Sequence, residues 1–222
     1  MDLSILNKFA YFNHKQFSAF LNINNSEVVL SRLNKNKKIE KIEKGKYTLH
    51  NDELIYATII TIPSYLSGLS ALYYYGLTTQ IPIKHTIITQ NQKKSFKNFN
   101  FIKVNKNYFF GYNKVNYKNF DLFIANKEKL LIDLVNFQYL GVSIIDLNLL
   151  LKEKLNIKLI INYLKKINKI SLIKRIGFLL EQNNIDIYNY FEKQIKKDKN
   201  YILLNTNKIE TQNISKKWRI KY

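Results

Sequence analysis

Residues 25–49, NSEVVLSRLNKNKKIEKIEKGKYTL, read as a short amphipathic helix that runs into a lysine-rich hairpin. Asn25 or Ser26 can serve as the N-cap. Val29 and Leu33 are four apart with Leu30 beside them, which gives one apolar face ending near Asn34. Lys35-Asn36-Lys37-Lys38 follows. Ile39 and Ile42 break strict alternation, so a bend or bulge is expected between them. Gly45 can take the positive φ of a tight turn, and Tyr47 and Leu49 alternate in the return strand. Upstream, Leu3, Ile5, Leu6 and Phe9 predict a first short helix. Asn13 caps a second, with Phe17, Phe20 and Leu21 at helical spacing, and residues 22–25 make a turn.

Three short helices and a basic hairpin are the parts of a winged helix-turn-helix, assigned to residues 1–50. The same parts also build protein-docking modules, and charge separates the two. Arg32, Lys35, Lys37, Lys38, Lys41, Lys44 and Lys46 face only Glu40 and Glu43 in that stretch, whereas a solvated face mixes its signs more evenly. The expected partner is double-stranded DNA. The third helix would lie in the major groove, with Asn25, Ser26, Ser31 and Arg32 as candidates for base edges, since Asn pairs with adenine and Arg with guanine. Lys35, Lys37 and Lys38 extend the cationic run, and Lys41, Lys44 and Lys46 would meet backbone or minor groove. Glu27 reads either as a helix-start charge favoured by the dipole or as a reader of a cytosine amine. Arg32 is open between DNA and an internal salt bridge. One such module is small, so tight binding calls for two copies on an inverted repeat.

Residues 51–222 read as a larger mixed α/β domain with a small sheet and several helices, making the whole chain α+β. Leu54–Thr61 is a helix or buried connector. Pro63-Ser64 opens a helix filled by Leu66, Leu69, Ala71, Leu72 and Tyr75 and stopped by Gly76. Strands are expected at His85–Thr89, Asn100–Val104, Tyr108–Tyr112 and Phe120–Ile124. A helix capped by Asn126 carries Leu130, Leu131, Leu134, Val135 and Phe137. Further helices are expected at Ser143–Lys152, Lys158–Ile167, Ser171–Glu181 and Asp186–Ile195, with closing strands at Tyr201–Leu204 and Trp218–Ile220. Trp218 reads as a core residue. Tyr73, Tyr74 and Tyr75 are consecutive on one helix, so they point apart and cannot form a single stacking platform.

The chain has 222 residues, 36 Lys and Arg against 16 Asp and Glu, and a formal net charge of +20, so polyanions are attracted to it. Only three arginines occur, and Asn, Ile and Lys are abundant, as in an AT-rich coding sequence; that bias explains lysine in place of arginine but not the shortage of acids. Residues 1–50 hold nine Lys and Arg against four Asp and Glu, which leaves a net +15 for the remainder. The larger domain is therefore a candidate for RNA or DNA contact, or simply a solvated lysine-rich surface. No cysteine occurs, which excludes disulfides, thiolate catalysis and cysteine-bound zinc. The N-terminus lacks a signal-peptide pattern, and Leu54–Leu72 is too interrupted for a spanning helix. A cytoplasmic chain with no membrane partner is expected. His14, His50 and His85 are scattered, no glycine-rich phosphate loop appears and no Asp-x-Asp pair occurs, while Asp133 and Asp146 fall on different helices. No catalytic residue, cofactor or metal is therefore expected.

The stretch 63–77, PSYLSGLSALYYYGL, resembles a signature of the AbiEi family of antitoxins. Phe101–Tyr112 (FIKVNKNYFFGY), Ile124–Leu134 (IANKEKLLIDL) and the closing Lys217-Trp218-Arg219-Ile220 are similar to later segments of that family, in the same order. The resemblance covers most of the chain. One departure is Asn126-Lys127 where the family has Thr-Pro, so the proline that favours a first helical turn is missing. The resemblance implies an antitoxin of a type IV toxin–antitoxin, or abortive-infection, module. Its N-terminal domain would bind inverted repeats in its own promoter and repress it. Its C-terminal domain would counter a nucleotidyltransferase-like toxin without forming a stable complex. Two other readings remain: a stand-alone winged-helix regulator, and an RNA- or tRNA-binding factor acting through the larger domain.

Overall fold

The computed structural model describes residues 1–205 and 213–222, and within them helices and small sheets mix, so the fold is α+β. The chain divides into two units: Met1–Ile60 with Val115–Leu122, and Thr61–Lys114 with Phe123–Tyr222. The first fifty residues all fall in the first unit.

That unit opens with a 3-10 turn, Ser4–Lys8, followed by helix α1, His14–Leu21. Asn13 caps α1 in a reciprocal capping box with Gln16, so the sequence-expected cap is present and two helix-end donors are satisfied. Helix α2 is Ser26–Lys35. Asn25 occupies its N-cap position but takes a left-handed backbone, φ 60°, and its side chain accepts no capping bond, which corrects the expected cap. Strands β1, Glu40–Glu43, and β2, Lys46–Thr48, pair antiparallel with a register shift between Lys41 and Glu43, the expected bulge; Gly45 carries the positive φ, 76°, of the turn. Phe12 exchanges backbone bonds of 2.8 and 2.9 Å with Tyr47, tying the chain before α1 to the hairpin. Leu6, Phe12, Phe17, Leu30, Leu33 and Ile39 form the core, and Tyr47 and Leu49 pack on it. Thr48 is buried between them in sequence, its hydroxyl donating to the Ala10 carbonyl at 2.9 Å. Residues 54–60 form a mostly buried connector behind a 3-10 turn at Glu53–Ile55. Asp52 explains why residues 115–122 belong here: it accepts from the Tyr117 hydroxyl at 2.8 Å and from Lys118 Nζ at 2.5 Å.

In the second unit Ser64–Ser67 is strand β3, not the start of a helix, and helix α3 runs only from Gly68 to Tyr74. The reason is local. Gly68 sits at φ 64°, outside the helical region, and a Cβ there would lie 3.2 Å from Thr86 and 3.3 Å from Leu140. The remaining strands of the sheet are β4, His85–Thr89; β5, Phe99–Lys103; β6, Tyr112–Tyr117; and β7, Phe120–Ala125, the last two sharing residues 115–122 with the first unit. Their order is β5-β4-β3-β7-β6, with β3 antiparallel to β4, parallel to β7, and β4 parallel to β5. Of the aromatic run Tyr108–Tyr112 only Tyr112 is in a strand, as the first residue of β6. The rings of the run go to different partners, Tyr108 to Phe137, Phe109 to Tyr65 and Phe110 to Tyr163, and Gly111 turns at φ 74° against Lys129.

Helix α4, Lys127–Asn136, is capped by the Asn126 side chain as expected and is buried from Lys129 to Val135. Around it pack α5, Ile144–Lys152; α6, Ile157–Ile167; and α7, Ile170–Glu181. The helix expected at 186–195 is two pieces, a 3-10 turn at Tyr188–Tyr190 and α8, Glu192–Lys197. Short strands β8, Ile202–Leu203; β9, Ile214–Ser215; and β10, Ile220–Lys221, form a small sheet in the order β8-β10-β9. The β9 strand has too few residues to leave a sequence signal, and the β10 strand starts two residues later than expected, because Trp218 is in a turn with its ring buried against α7. Among the described residues no helix is long and apolar enough to cross a membrane.

Candidate nucleic-acid interface

Helix α2 divides cleanly by face. Ser26, Leu30 and Leu33 are buried and Val29 half-buried, so positions at three- and four-residue spacing form the core side. Val28, Ser31, Arg32 and Lys35 are exposed at the complementary spacing and form one outward stripe. The helix ends in a two-bond cap: Lys38 N–H donates to Leu33 O at 2.9 Å and Lys37 N–H to Asn34 O at 3.0 Å, with Lys37 left-handed at φ 56°. This tight reversal sets Lys37 and Lys38 directly after the stripe. Asn34 then reaches across. Its Oδ1 accepts from the Lys41 N–H at 2.9 Å, joining the last turn of α2 to the first strand of the hairpin.

Of the residues expected at the interface, Asn25, Ser31, Arg32, Lys35, Lys37, Lys38, Lys41 and Lys44 are exposed. Among the described residues, Arg32, Lys35, Lys37, Lys38 and Lys44 make no ion pair, so the internal salt bridge considered for Arg32 is not formed. Two residues are corrected. Ser26 is 8% exposed, on the core side of α2, because it stands four residues before Leu30. Lys46 is half-buried, and its ammonium is committed to Glu43 at 2.8 Å and to the Ile60 carbonyl at 2.9 Å, with the Tyr11 ring 5.0 Å away. Lys46 thus anchors the hairpin and neutralises Glu43, one of the two acids in the basic run. Glu27 lies in the first turn of α2 with an oxygen 3.9 Å from His14 Nδ1, the placement expected of a charge favoured by the helix dipole. Asn34 was missed by sequence reasoning. Its signal is an amide at the last turn of a helix that runs into a strand.

His50, His85, Asp133 and Asp146 have structural partners. His50 Nε2 lies 3.1 Å from the Phe9 carbonyl and His85 Nδ1 lies 2.9 Å from the Ser70 hydroxyl. Asp133 is buried with Lys129 as its ion-pair partner, and also accepts from Ser67 Oγ and Tyr108 Oη at 2.8 Å. Asp146 instead bonds to Ser143 at the start of α5. Tyr75 donates to the Ala125 carbonyl at 2.8 Å and meets the Tyr74 ring edge-on at 5.4 Å, while Tyr73 is exposed; the expectation that all three point apart is corrected for Tyr74 and Tyr75, though their perpendicular rings form no single stacking platform. Among the described residues no three His, Asp or Glu side chains are grouped to hold a metal ion. No protein-family model matches the chain, and no curated protein matches it.

Proposed function

We propose that this chain is a repressor that grips duplex DNA with its first unit, used as a winged helix-turn-helix: α2 enters the major groove and the β1–β2 hairpin lies along the backbone. The observation that carries the reading is the unneutralised row of Arg32, Lys35, Lys37, Lys38 and Lys44, exposed on the helix stripe, its cap and the hairpin turn. Such cations release counterions when they meet phosphates, which supplies affinity without sequence preference. Ser31 and Arg32 on the stripe, with Asn25 at its start, supply the base reading. Two copies on an inverted repeat provide the area that one small unit lacks.

The further role is an antitoxin of a type IV toxin–antitoxin module, acting in the cytoplasm by binding and catalysing no reaction. Its support is the resemblance of residues 63–77 and the ordered segments after it to the AbiEi family. The chain then represses its own promoter, and its second unit counters a nucleotidyltransferase-like toxin. Footprinting of the full chain on its own upstream DNA, with structured RNA as competitor, tests the first part. Protection of paired half-sites that RNA does not abolish supports it; equal competition by RNA favours an RNA-directed factor. Rescue of growth on co-expression with a neighbouring nucleotidyltransferase-like toxin tests the second part, and failure of rescue leaves a stand-alone regulator.

A further inference from the structure

The second unit contains a cleft of about 600 Å³ that the DNA reading does not use. It is formed where the end of β5, the chain through residue 108, the end of α4 and the α6–α7 junction meet. Three of its lining residues are lysines, Lys103, Lys166 and Lys169, and no Asp or Glu lines it. Four asparagines share the lining with the apolar surfaces of Tyr108, Phe137 and Ile167.

From this lining we propose that the cleft binds a nucleotide, with its phosphate among the three lysines and its base against the aromatic and asparagine side. Charge and volume argue for it together. Three cations without a lining acid attract an anion, but inorganic phosphate would fill little of this space, whose volume is typical of small-molecule sites. Asparagine amides carry both donors and acceptors, which matches the edge of a base.

The cleft is a built feature. Tyr108 is 7% exposed; its hydroxyl donates to Asp133 at 2.8 Å and its ring lies 3.6 Å from the buried Lys129 ammonium. Lys169 is held by Asn136 Oδ1 at 2.8 Å, and Lys166 lies over the Phe110 ring at 4.2 Å. Lys169 is exposed, yet partial desolvation first, and the nearby Arg175 charge second, hold its pKa below the usual lysine value, and a bound phosphate would act in the opposite direction. Lys169 is also the N-cap of the twelve-residue α7, which has no side-chain cap and no acid in its first turn, so a helix end favouring anions begins at the cleft.

Calorimetric titration of the full chain with AMP, CMP, GMP, UMP and inorganic phosphate tests the proposal. At least one nucleotide should bind with micromolar Kd. Lys169→Gln, and separately Lys103→Gln/Lys166→Gln, should weaken it by about tenfold or more, the scale of one lost charge-assisted contact. All three side chains are exposed, but only Lys169 bonds Asn136, so the second variant remains informative if the first disturbs the fold. Lys94→Gln/Lys152→Gln/Lys154→Gln, which removes three exposed charges outside the cleft, should bind as the parent does. Absence of binding by all four nucleotides, phosphate binding as tightly as the best nucleotide, or equal weakening by the control triple would each overturn it. DNA binding through the first unit is read separately and does not enter the result.

Discussion

Asn34 Oδ1 accepts the backbone N–H of Lys41 at 2.9 Å, a bond that adds to the shared core in holding the hairpin to the last turn of the helix that carries the exposed cations. The link makes helix stripe and hairpin a single surface inside the first unit. Asn34→Ala leaves the Lys41 N–H to solvent and should lower stability by about 1 kcal/mol, the usual net value of such a bond. DNA affinity should fall by more than that loss of fold accounts for, because the two halves of the surface lose register. Urea unfolding beside fluorescence anisotropy checks both. Unchanged affinity would mean that the hairpin does not contact DNA.

Lys44 and Lys46 flank the same turn and have opposite roles. Lys44 is exposed and without an ion pair, while Lys46 is bound to Glu43 and the Ile60 carbonyl. Lys44→Gln should leave stability unchanged and reduce the slope of log affinity against log salt by about 0.9, one phosphate contact. Lys46→Gln should lower the melting temperature and leave that slope alone. The reverse pattern would exchange their assignments.

Lys37 holds a left-handed backbone at φ 56° in the cap of α2. A side chain there carries a steric cost of roughly 1–2 kcal/mol that glycine avoids. Lys37→Gly should therefore raise stability by about 1 kcal/mol while weakening DNA binding. Chemical denaturation and a binding isotherm on the same sample separate the effects.

Gly177 lies in the middle of α7 beneath Trp218, and a Cβ there would come within 2.1 Å of the indole ring. Alanine is the better helix former by about 1 kcal/mol, but a clash against a fully buried ring should outweigh that gain. Gly177→Ala is expected to destabilise the second unit by about 1–3 kcal/mol, as overpacking does. An increase in melting temperature would show that Trp218 can move aside.

The Asp198 carboxylate accepts from the buried Lys174 ammonium at 2.8 Å; that bond first, and the Asn200 N–H second, hold its pKa below the usual carboxylate value. A carboxylate depressed on folding adds stability above its unfolded pKa, near 4, and loses it as pH falls through the folded value. Asp198→Asn should lower stability at pH 7 and flatten the decline between about pH 5 and pH 2. An acid limb as steep as the parent's would remove Asp198 from that role.

Local signals in the sequence survived folding where one residue decides the local geometry. Asn13 and Asn126 cap helices, Gly45 turns the hairpin, and the apolar spacing of Leu30 and Leu33 separates core from surface on α2. The signals failed where tertiary demands compete. Pro63-Ser64 looks like a helix start, yet Ser64–Ser67 is an interior strand of the sheet whose Ser67 hydroxyl serves the buried Asp133. Aromatic content suggested a strand at 108–112, where Gly111 instead turns the chain against Lys129. At the interface, counting lysines could not show that Lys46 is held internally: Glu43 is its neighbour across the turn, but the Ile60 carbonyl is brought to it only by the fold.

The salt dependence of binding to the chain's own upstream duplex tests the central claim most directly. If the exposed row on α2, its cap and the hairpin turn neutralises about five phosphates, log affinity should fall with log salt at a slope near −4.5. Replacing Arg32, Lys35, Lys37, Lys38 and Lys44 together should bring that slope close to zero in a chain that still folds. A parent slope that the fivefold variant retains would place the DNA contact elsewhere and contradict the account.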